Sequence, residues 1–176
     1  IKIFSHDLNV EINAKSIDKL EYDGNLDLII SLIKLIKPNY GFNLFTYSDV
    51  PPGSGLGGSA VLLSAIIGSF NNFRVNKYTD YEIAELAFHA ERIVMDLSGG
   101  WQDQYATVFG GFNYIEFKDN ENIVNPLRIN NAIKTELEDS LILCYTGLNH
   151  HSGKIHDKQK ESMMNKKVKE YAQISK

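Results

Sequence analysis

The sequence predicts a mixed α/β fold (α+β in layout), on three observations. Short segments such as Leu8, Val10, Ile12 and Phe112-Asn113-Tyr114-Ile115-Glu116-Phe117 alternate with the period of half-buried strands. Longer segments, Leu26 to Ile36 and Gly57 to about Phe73, have the apolar density of buried helices. Between a strand and the second of those helices lies a glycine-dense loop, Pro51-Pro52-Gly53-Ser54-Gly55-Leu56-Gly57-Gly58-Ser59-Ala60.

In chain order, Ile1-Lys2-Ile3-Phe4 is strand-like and residues 8–13 form an alternating strand. The helix over Leu26 to Ile36 is expected to stop at Lys37-Pro38, because the residue before a proline is driven out of the α region. Phe42 to Tyr47 is a further strand. In the next helix Val61, Leu62, Leu63, Ala65, Ile66, Ile67 and Phe70 are apolar on every side, which predicts burial all round. Thr79 with Glu82 three residues on predicts a capped helix start. That helix is expected to run to Leu97, where Gly99-Gly100 ends it. After the 112–117 strand, Val124 to Ile129 and Leu141 to Tyr145 are read as strands, and 152–172 as a long polar helix. A division between domains is expected near Lys134–Asp139, giving parts of 1–136 and 137–176.

The 176 residues are enough for one generous domain or one domain and part of another. A net charge of −4, with no long basic run apart from Lys166-Lys167 and Lys169, argues against nucleic acid as a partner. No apolar stretch reaches the ~20 residues of a membrane span. The single cysteine, Cys144, excludes an internal disulfide, fits a reducing, cytoplasmic compartment, and is expected to be a small buried side chain. The chain opens on Ile1 in a strand pattern and closes on a lysine-rich helical stretch, so it is expected to be incomplete at both ends. No pattern in it sets an oligomeric state.

The glycine loop is the first functional signal. Glycines at 53, 55, 57 and 58 remove the Cβ atoms that would hold a ligand off the main chain. The loop runs directly into a helix, so unpaired N–H groups and the positive end of the helix dipole face one space, a ready site for phosphate. Ser59 adds a hydroxyl that can reach a phosphate oxygen or a metal ion. Gly53, Gly55 and Gly58, with Asp80 downstream, also satisfy the spacing of a dinucleotide-binding loop. Pro51-Pro52 separates the glycines from their strand, which speaks against that alternative. No Gly-Lys-Ser/Thr closes a Walker A loop. A flexible turn without a ligand is the remaining alternative.

The helix after Thr79 carries the second signal. At ~100° per residue, Glu82, Glu85, His89, Arg92 and Asp96 share a solvent-facing stripe, and Ile83, Leu86, Ala87, Ala90, Ile93 and Val94 the apolar face. Glu91 belongs to neither, lying roughly 140° from the polar stripe on the shoulder of the buried side. A carboxylate there needs a partner, either an arginine or a metal ion beside the phosphate loop. Asp103 follows Gly99-Gly100 and is a catalytic candidate. Trp101, Gln102, Gln104 and Tyr105 around it are stacking and hydrogen-bonding types suited to a sugar.

Three segments together resemble the GHMP kinases. Pro51-x-x-x-Gly55-Leu56-Gly57-Gly58-Ser59-Ala60 is similar to that family's ATP-binding motif. Ala87-Phe88-His89-Ala90-Glu91-Arg92, followed by Gly99-Gly100-Trp101-Gln102-Asp103-Gln104-Tyr105-Ala106 and Gly110-Gly111, is similar to its magnesium-ligand and catalytic-aspartate region. Gly-Gly-Trp-Gln-Asp-Gln resembles the branch of D-glycero-D-manno-heptose 7-phosphate kinases and fucokinases, and Leu141-Ile142-Leu143-Cys144-Tyr145-Thr146-Gly147 leans to the heptose enzymes. The resemblance implies a ribosomal-protein-S5-like N-terminal domain (1–136) followed by the start of a ferredoxin-like domain (137–176). It implies that Pro52, Gly53, Ser54, Gly55, Leu56, Gly57, Gly58 and Ser59 bind the ATP phosphates, that Ser59 and Glu91 hold Mg²⁺, and that Asp103 takes the proton of an attacking sugar hydroxyl. Trp101, Gln102, Thr146, Gly147 and His150 are the substrate candidates it suggests. Gly58 stands where many members have serine, and the family's N-terminal and third motifs are not in this chain. The three histidines His150, His151 and His156 lack the carboxylate or cysteine partners of a tetrahedral metal site. The function classes left are an ATP-dependent sugar or sugar-phosphate kinase, a dinucleotide-dependent oxidoreductase, and a relative that binds without turnover. Retention of Ser59, Glu91 and Asp103 together disfavours the last.

Overall fold

The computed structural model describes residues 1–118 and 121–144. Strands β1 (Lys2–Ser5), β2 (Val10–Asn13) and β3 (Asn43–Thr46) form a mixed sheet in the order β2-β1-β3. β2 runs antiparallel to β1 with Ile3 opposite Ile12, and β3 runs parallel with Ile3 opposite Leu44. Alternation along β1 sends Ile3 and Ser5 into the core. The other face carries Phe4, His6 and Phe45, whose rings meet edge-on or tilted, with Phe4 and His6 centroids 4.6 Å apart.

Helices α1 (Asp27–Ile36), α2 (Gly58–Asn71) and α3 (Asp80–Phe88) cover the inner face of the sheet. Their core is built from Ile29, Ile30, Leu32 and Ile33 of α1, Leu63, Ile66, Ile67 and Phe70 of α2, and Ala87 of α3, closing over Ile3 and Leu20. α1 ends as its Lys37-Pro38 pair requires: Lys37 turns left-handed (φ 43°) and its N–H still donates to the Ile33 carbonyl at 3.0 Å. α2 is less enclosed than its composition predicts. Val61 (49 % exposed) and Ala65 lie four residues apart on one stripe that faces outward, so the helix is buried on three sides only.

α3 does not continue as an α-helix to Leu97. From His89 to Val94 the chain widens into a π-helical turn. The wider turn shifts the register of every side chain after it. Ile93 and Val94, read as apolar-face residues, are 59 % and 42 % exposed, while Arg92, read as solvent-facing, turns inward. Ser31 of α1 braces this turn, its hydroxyl donating to the Ala90 carbonyl at 3.2 Å in the buried layer.

After Gly99-Gly100, α4 (Gln102–Phe109) packs against α2 and α3 and leads into the hairpin β4 (Asn113–Phe117) and β5 (Asn122–Pro126). β5 starts two residues before the expected Val124–Ile129 strand and stops at its proline, three residues before that strand's expected end. Asn130 then caps a helix that the sequence reading missed, α5 (Asn131–Ser140), its side chain accepting from the Ala132 N–H at 2.9 Å. α5 buries no residue and runs through the position, between 136 and 137, at which the sequence reading divides the chain. Residues 141–144 are not a strand. No strand among the described residues lies alongside to pair with them, and Cys144 is exposed rather than buried. The helix expected over 152–172 lies outside the described residues. Among the described residues no helix is long and apolar enough to cross a membrane.

Candidate active site

The glycine loop spans the connection between β3 and α2. Gly53, Gly55 and Gly57 take left-handed φ of 75°, 78° and 67°, conformations that other L-residues adopt at a cost. Gly57 is the cap position of α2, and no side chain caps it; the first helical bond runs from Val61 N–H to the Gly57 carbonyl at 3.1 Å. The first-turn N–H groups of α2 therefore have no side-chain acceptor among the described residues, and no acidic residue occupies that turn. Because residues 47–57 separate β3 from α2, the tight strand–turn–helix of a dinucleotide loop is not formed.

Ser59, in the first turn of α2, reaches across to the π-turn. Its Oγ donates to Glu91 Oε1 at 2.6 Å, joining residues 32 apart in sequence. The other carboxylate oxygen, Oε2, accepts from Gln104 Nε2 at 2.6 Å and lies 3.6 Å from Arg92 Nη2. Glu91 and Arg92 are 4 % and 8 % exposed along their side chains, so this is a buried, charge-compensated cluster. Short bonds of this kind are the strong, charge-assisted class. The arginine that the sequence reading left unnamed is the next residue, brought inward by the π-turn. The alternatives of a salt bridge and an oxygen site for a cation thus meet at the same carboxylate.

Asp103 sits in the first turn of α4, half-buried, against the glycine loop: a Cβ added to Gly57 would lie 3.8 Å from both Asp103 Cβ and Cγ. Its neighbour Gln104 bonds Glu91, so α4 carries one residue to the loop and the next to the carboxylate. The glycine loop, Ser59, Glu91 and Asp103 form one contiguous set. Among the described residues no group of three or more His, Cys, Asp or Glu side chains makes a ready-made metal cage. Ser59 Oγ and Glu91 Oε1 are instead two adjacent hard oxygen donors. That donor set suits Mg²⁺, which takes few protein oxygens and completes its shell with phosphate oxygens and water. Gln104 Oε1, buried and without a hydrogen-bond partner among the described residues, adds an uncommitted acceptor to the cluster.

The residues grouped as sugar-facing divide. Gln102 is exposed at the start of α4. Trp101 is stacked on Phe88, centroids 3.5 Å apart and planes 4° from parallel, so one indole face is already covered. Gln104 and Tyr105 are fully buried. The Tyr105 hydroxyl donates to Glu85 Oε1 at 2.7 Å and accepts from Asn122 Nδ2 at 2.9 Å, tying α4 to α3 and the hairpin. Burial first, and the Glu85 carboxylate after it, push the Tyr105 phenol up to about 12. Pro52, Ser54, Leu56 and Gly58 lie in or beside the glycine loop, Pro52, Leu56 and Gly58 exposed and Ser54 half-buried. Thr146, Gly147 and His150 lie outside the described residues.

Sequence reasoning missed Gln104 and Arg92 as members of the cluster. For Gln104 the available signal is its place next to Asp103; for Arg92 the residues offer none, because the π-turn that brings it inward breaks the helical period.

Comparison with known proteins gives a consistent set of likenesses. Residues 27–111 match the model of the GHMP kinases N terminal domain. The chain is 41 % identical over 169 residues to a D-glycero-alpha-D-manno-heptose 7-phosphate kinase of Campylobacter jejuni, covering 93 % of this chain and 50 % of that protein. The crystal structure of a D-glycero-D-manno-heptose 1-phosphate kinase from Bacteroides thetaiotaomicron superposes with a TM-score of 0.71 at 40 % identity, over 78 % of this chain and 47 % of that one. Lactococcus lactis galactokinase complexed with galactose matches at a TM-score of 0.55 and 19 % identity, over 73 % of this chain and 36 % of that one, a likeness of fold alone. The chain spans about half the length of the heptose kinases it matches.

Proposed function

We propose, from the premise that this chain belongs to the GHMP kinases and carries their N-terminal domain over residues 27–111, that the whole protein is an ATP-dependent kinase of a heptose phosphate. D-glycero-D-manno-heptose 7-phosphate is the substrate we assign, on the likeness to the Campylobacter enzyme. The two heptose kinases compared differ in where their names put the phosphate and agree in the sugar. The reaction would serve the making of nucleotide-activated sugars in the cytoplasm. The two-domain layout belongs to the same reading: residues 1–136 the S5-like N-terminal domain, 137–176 the start of a ferredoxin-like one, with α5 bridging them.

The observation that carries the reading is the 2.6 Å contact of Ser59 with Glu91, made beside a glycine loop against which Asp103 is packed. In this reading the open N–H groups of residues 53–59 and the positive end of α2 bind the ATP phosphates. Ser59 and Glu91 would hold the magnesium ion, which when bound supplies charge compensation for the phosphate oxygens. Asp103 orients the acceptor hydroxyl and takes its proton as the new oxygen–phosphorus bond forms and the bond from the γ-phosphorus to the β–γ bridging oxygen breaks, releasing ADP. Little covalent work is left to the protein, so fixed placement of these groups provides most of the acceleration. Gln102 stands at the open start of α4 as a sugar contact; Trp101 offers its free face or edge.

An ADP-release assay of the full-length protein with MgATP tests the reading across heptose 7-phosphate, fucose, galactose and mevalonate. Heptose 7-phosphate should give the highest kcat/KM. A protein that releases no ADP with any of the four, or that binds NAD in preference to MgATP, would overturn it.

A further inference from the structure

Arg92 is placed where neither a surface charge nor a simple ion pair accounts for it. On a regular α-helix it would point to solvent, 100° on from Glu91. The π-turn turns it inward instead, leaving 8 % of its side chain exposed. There Nη2 lies 3.6 Å from Glu91 Oε2, and Nη1 donates to the Ser98 carbonyl at 2.9 Å. Nε is buried without a hydrogen-bond partner among the described residues. Most buried polar atoms have a partner, so the bare Nε sets this guanidinium apart from an ordinary buried ion pair. The guanidinium also lies over Gly99, leaving no room there for a side chain. Gly99 has no left-handed φ, so an added side chain would be accommodated by the backbone and would have to displace the Arg92 guanidinium.

We propose that Arg92 is a positioning residue for phosphoryl transfer: it bridges the Glu91 carboxylate and the Ser98 carbonyl, and so locks the 98–100 loop that sets Asp103 against the glycine loop. The inference rests on the kinase reading and adds to it. Residues 95–101 join the π-turn to the start of α4, and 98–100 lie within that link. Fixing the link at Ser98 restrains the approach to α4, whose first turn carries Asp103 five residues on. The two ties leave from different nitrogens of one rigid, planar guanidinium, whereas the ammonium of a shorter lysine presents all its donors from a single nitrogen, so Arg92→Lys keeps the charge and is expected to lose one of the two ties. Displacement of a reacting group by about 1 Å costs turnover up to roughly a hundredfold.

The test uses the full-length protein with Arg92→Lys, Gly99→Ala and the double variant. Each single change should lower kcat roughly ten- to a hundredfold, with KM for ATP and for the sugar phosphate held within about threefold. The Cβ in Gly99→Ala displaces the same guanidinium, so the double variant should be no slower than the slower single one. Acrylamide quenching of Trp101, two residues past Gly99, should rise in all three without ligand present. Equal kcat in wild type and both single variants, multiplicative losses in the double variant, or losses that follow a lowered melting temperature would each overturn the lock. Wild type without sugar-dependent ADP release would instead sink the kinase reading, and the quenching series would still decide whether the lock exists.

Discussion

Two helices that pack on each other, α2 and α3, begin in opposite ways. α3 starts on a complete capping box. The Thr79 hydroxyl accepts from the Glu82 N–H at 3.3 Å, and the Glu82 carboxylate accepts from the Thr79 N–H at 2.8 Å. α2 starts on left-handed Gly57 with no cap and no acidic residue in its first turn. Helix ends left open cost stability, and the same chain shows how one is closed. Under the proposed kinase reading the two ends do different work: the α3 start holds the fold, and the α2 start keeps its donors free for an anion. Changes near the open end should therefore act on turnover, and changes near the closed end on stability.

The largest expected effect is at Asp103. Asp103→Asn keeps the shape of the side chain against Gly57 and removes the base, so kcat should fall roughly 10²–10⁴-fold with the melting temperature nearly unchanged. Steady-state ADP release and a thermal melt measure the two quantities. A variant of near-wild-type rate would take the proton-accepting role from Asp103 and would undo the assignment of the open end to catalysis.

Ser59→Ala comes next. It deletes the hydroxyl that bonds Glu91 at 2.6 Å. Loss of such a partner beside a metal ligand typically costs ten- to a hundredfold, about what we expect for kcat/KM here. The Mg²⁺ concentration giving half-maximal rate should rise in step. A Ser59→Ala enzyme with unaltered magnesium dependence and a lowered melting temperature would place Ser59 with the structural residues.

How far these features can be read from the sequence depends on how local their causes are. The capping box needs only Thr79 and Glu82, and the stop of α1 only Lys37-Pro38; both are legible in the residues themselves. So is the open start of α2, since Gly57 followed by Gly58-Ser59-Ala60 offers no acidic cap. The π-turn is different. It is braced by Ser31, 59 residues before the Ala90 carbonyl it binds, and no period of 3.6 anticipates the shift. That one insertion put Arg92, Ile93 and Val94 on the wrong faces in the sequence reading while leaving Glu91 on the buried side. The 141–144 segment shows the converse limit. Its apolar run reads as a strand, and a strand needs a neighbour that local pattern cannot supply. α5 was missed because its charged residues resemble a linker, although Asn130 is an ordinary helix cap.

At the closed end, Thr79→Ala should lower stability by about 1 kcal/mol and leave kcat and KM where they are. Chemical denaturation of the two proteins gives the difference. The cap also has a pH signature. The Thr79 N–H holds the Glu82 carboxyl below its ordinary 4.5, as does the Thr79 hydroxyl to a smaller degree, so this contribution is present above pH 4.5 and is lost as pH falls through the lowered value. The stability gap between wild type and Thr79→Ala should narrow in that acid window. A drop in kcat with stability intact would break the division of labour between the two helix ends.

The smallest effect tests how α3 reaches the catalytic segment. Tyr105 links α4 to Glu85 of α3 and to Asn122 of β5 through its hydroxyl, two residues beyond Asp103 on the same helix. Tyr105→Phe preserves the ring contacts with Tyr81, Trp101, Phe109 and Phe117 and removes only those two bonds. Net loss for hydrogen bonds of this kind is about 1 kcal/mol, offset in part because Glu85 remains exposed to water. Titration sharpens the assignment. The phenol is pushed from about 10 to about 12, with burial the first cause, so the neutral form is what the fold stabilises. The wild-type contribution from this group is complete below pH 10 and is lost as pH rises towards 12. Denaturation midpoints of wild type and Tyr105→Phe should therefore converge across that alkaline window, and a 295 nm titration should show a late-ionising tyrosine in wild type that is absent from the variant. Midpoints that stay parallel from pH 9 through pH 12 would mean that the hydroxyl does not tie α4 to α3, and would leave Asp103 held by the Gln104–Glu91 bond, the Arg92 tie and the packing of α4 on α2.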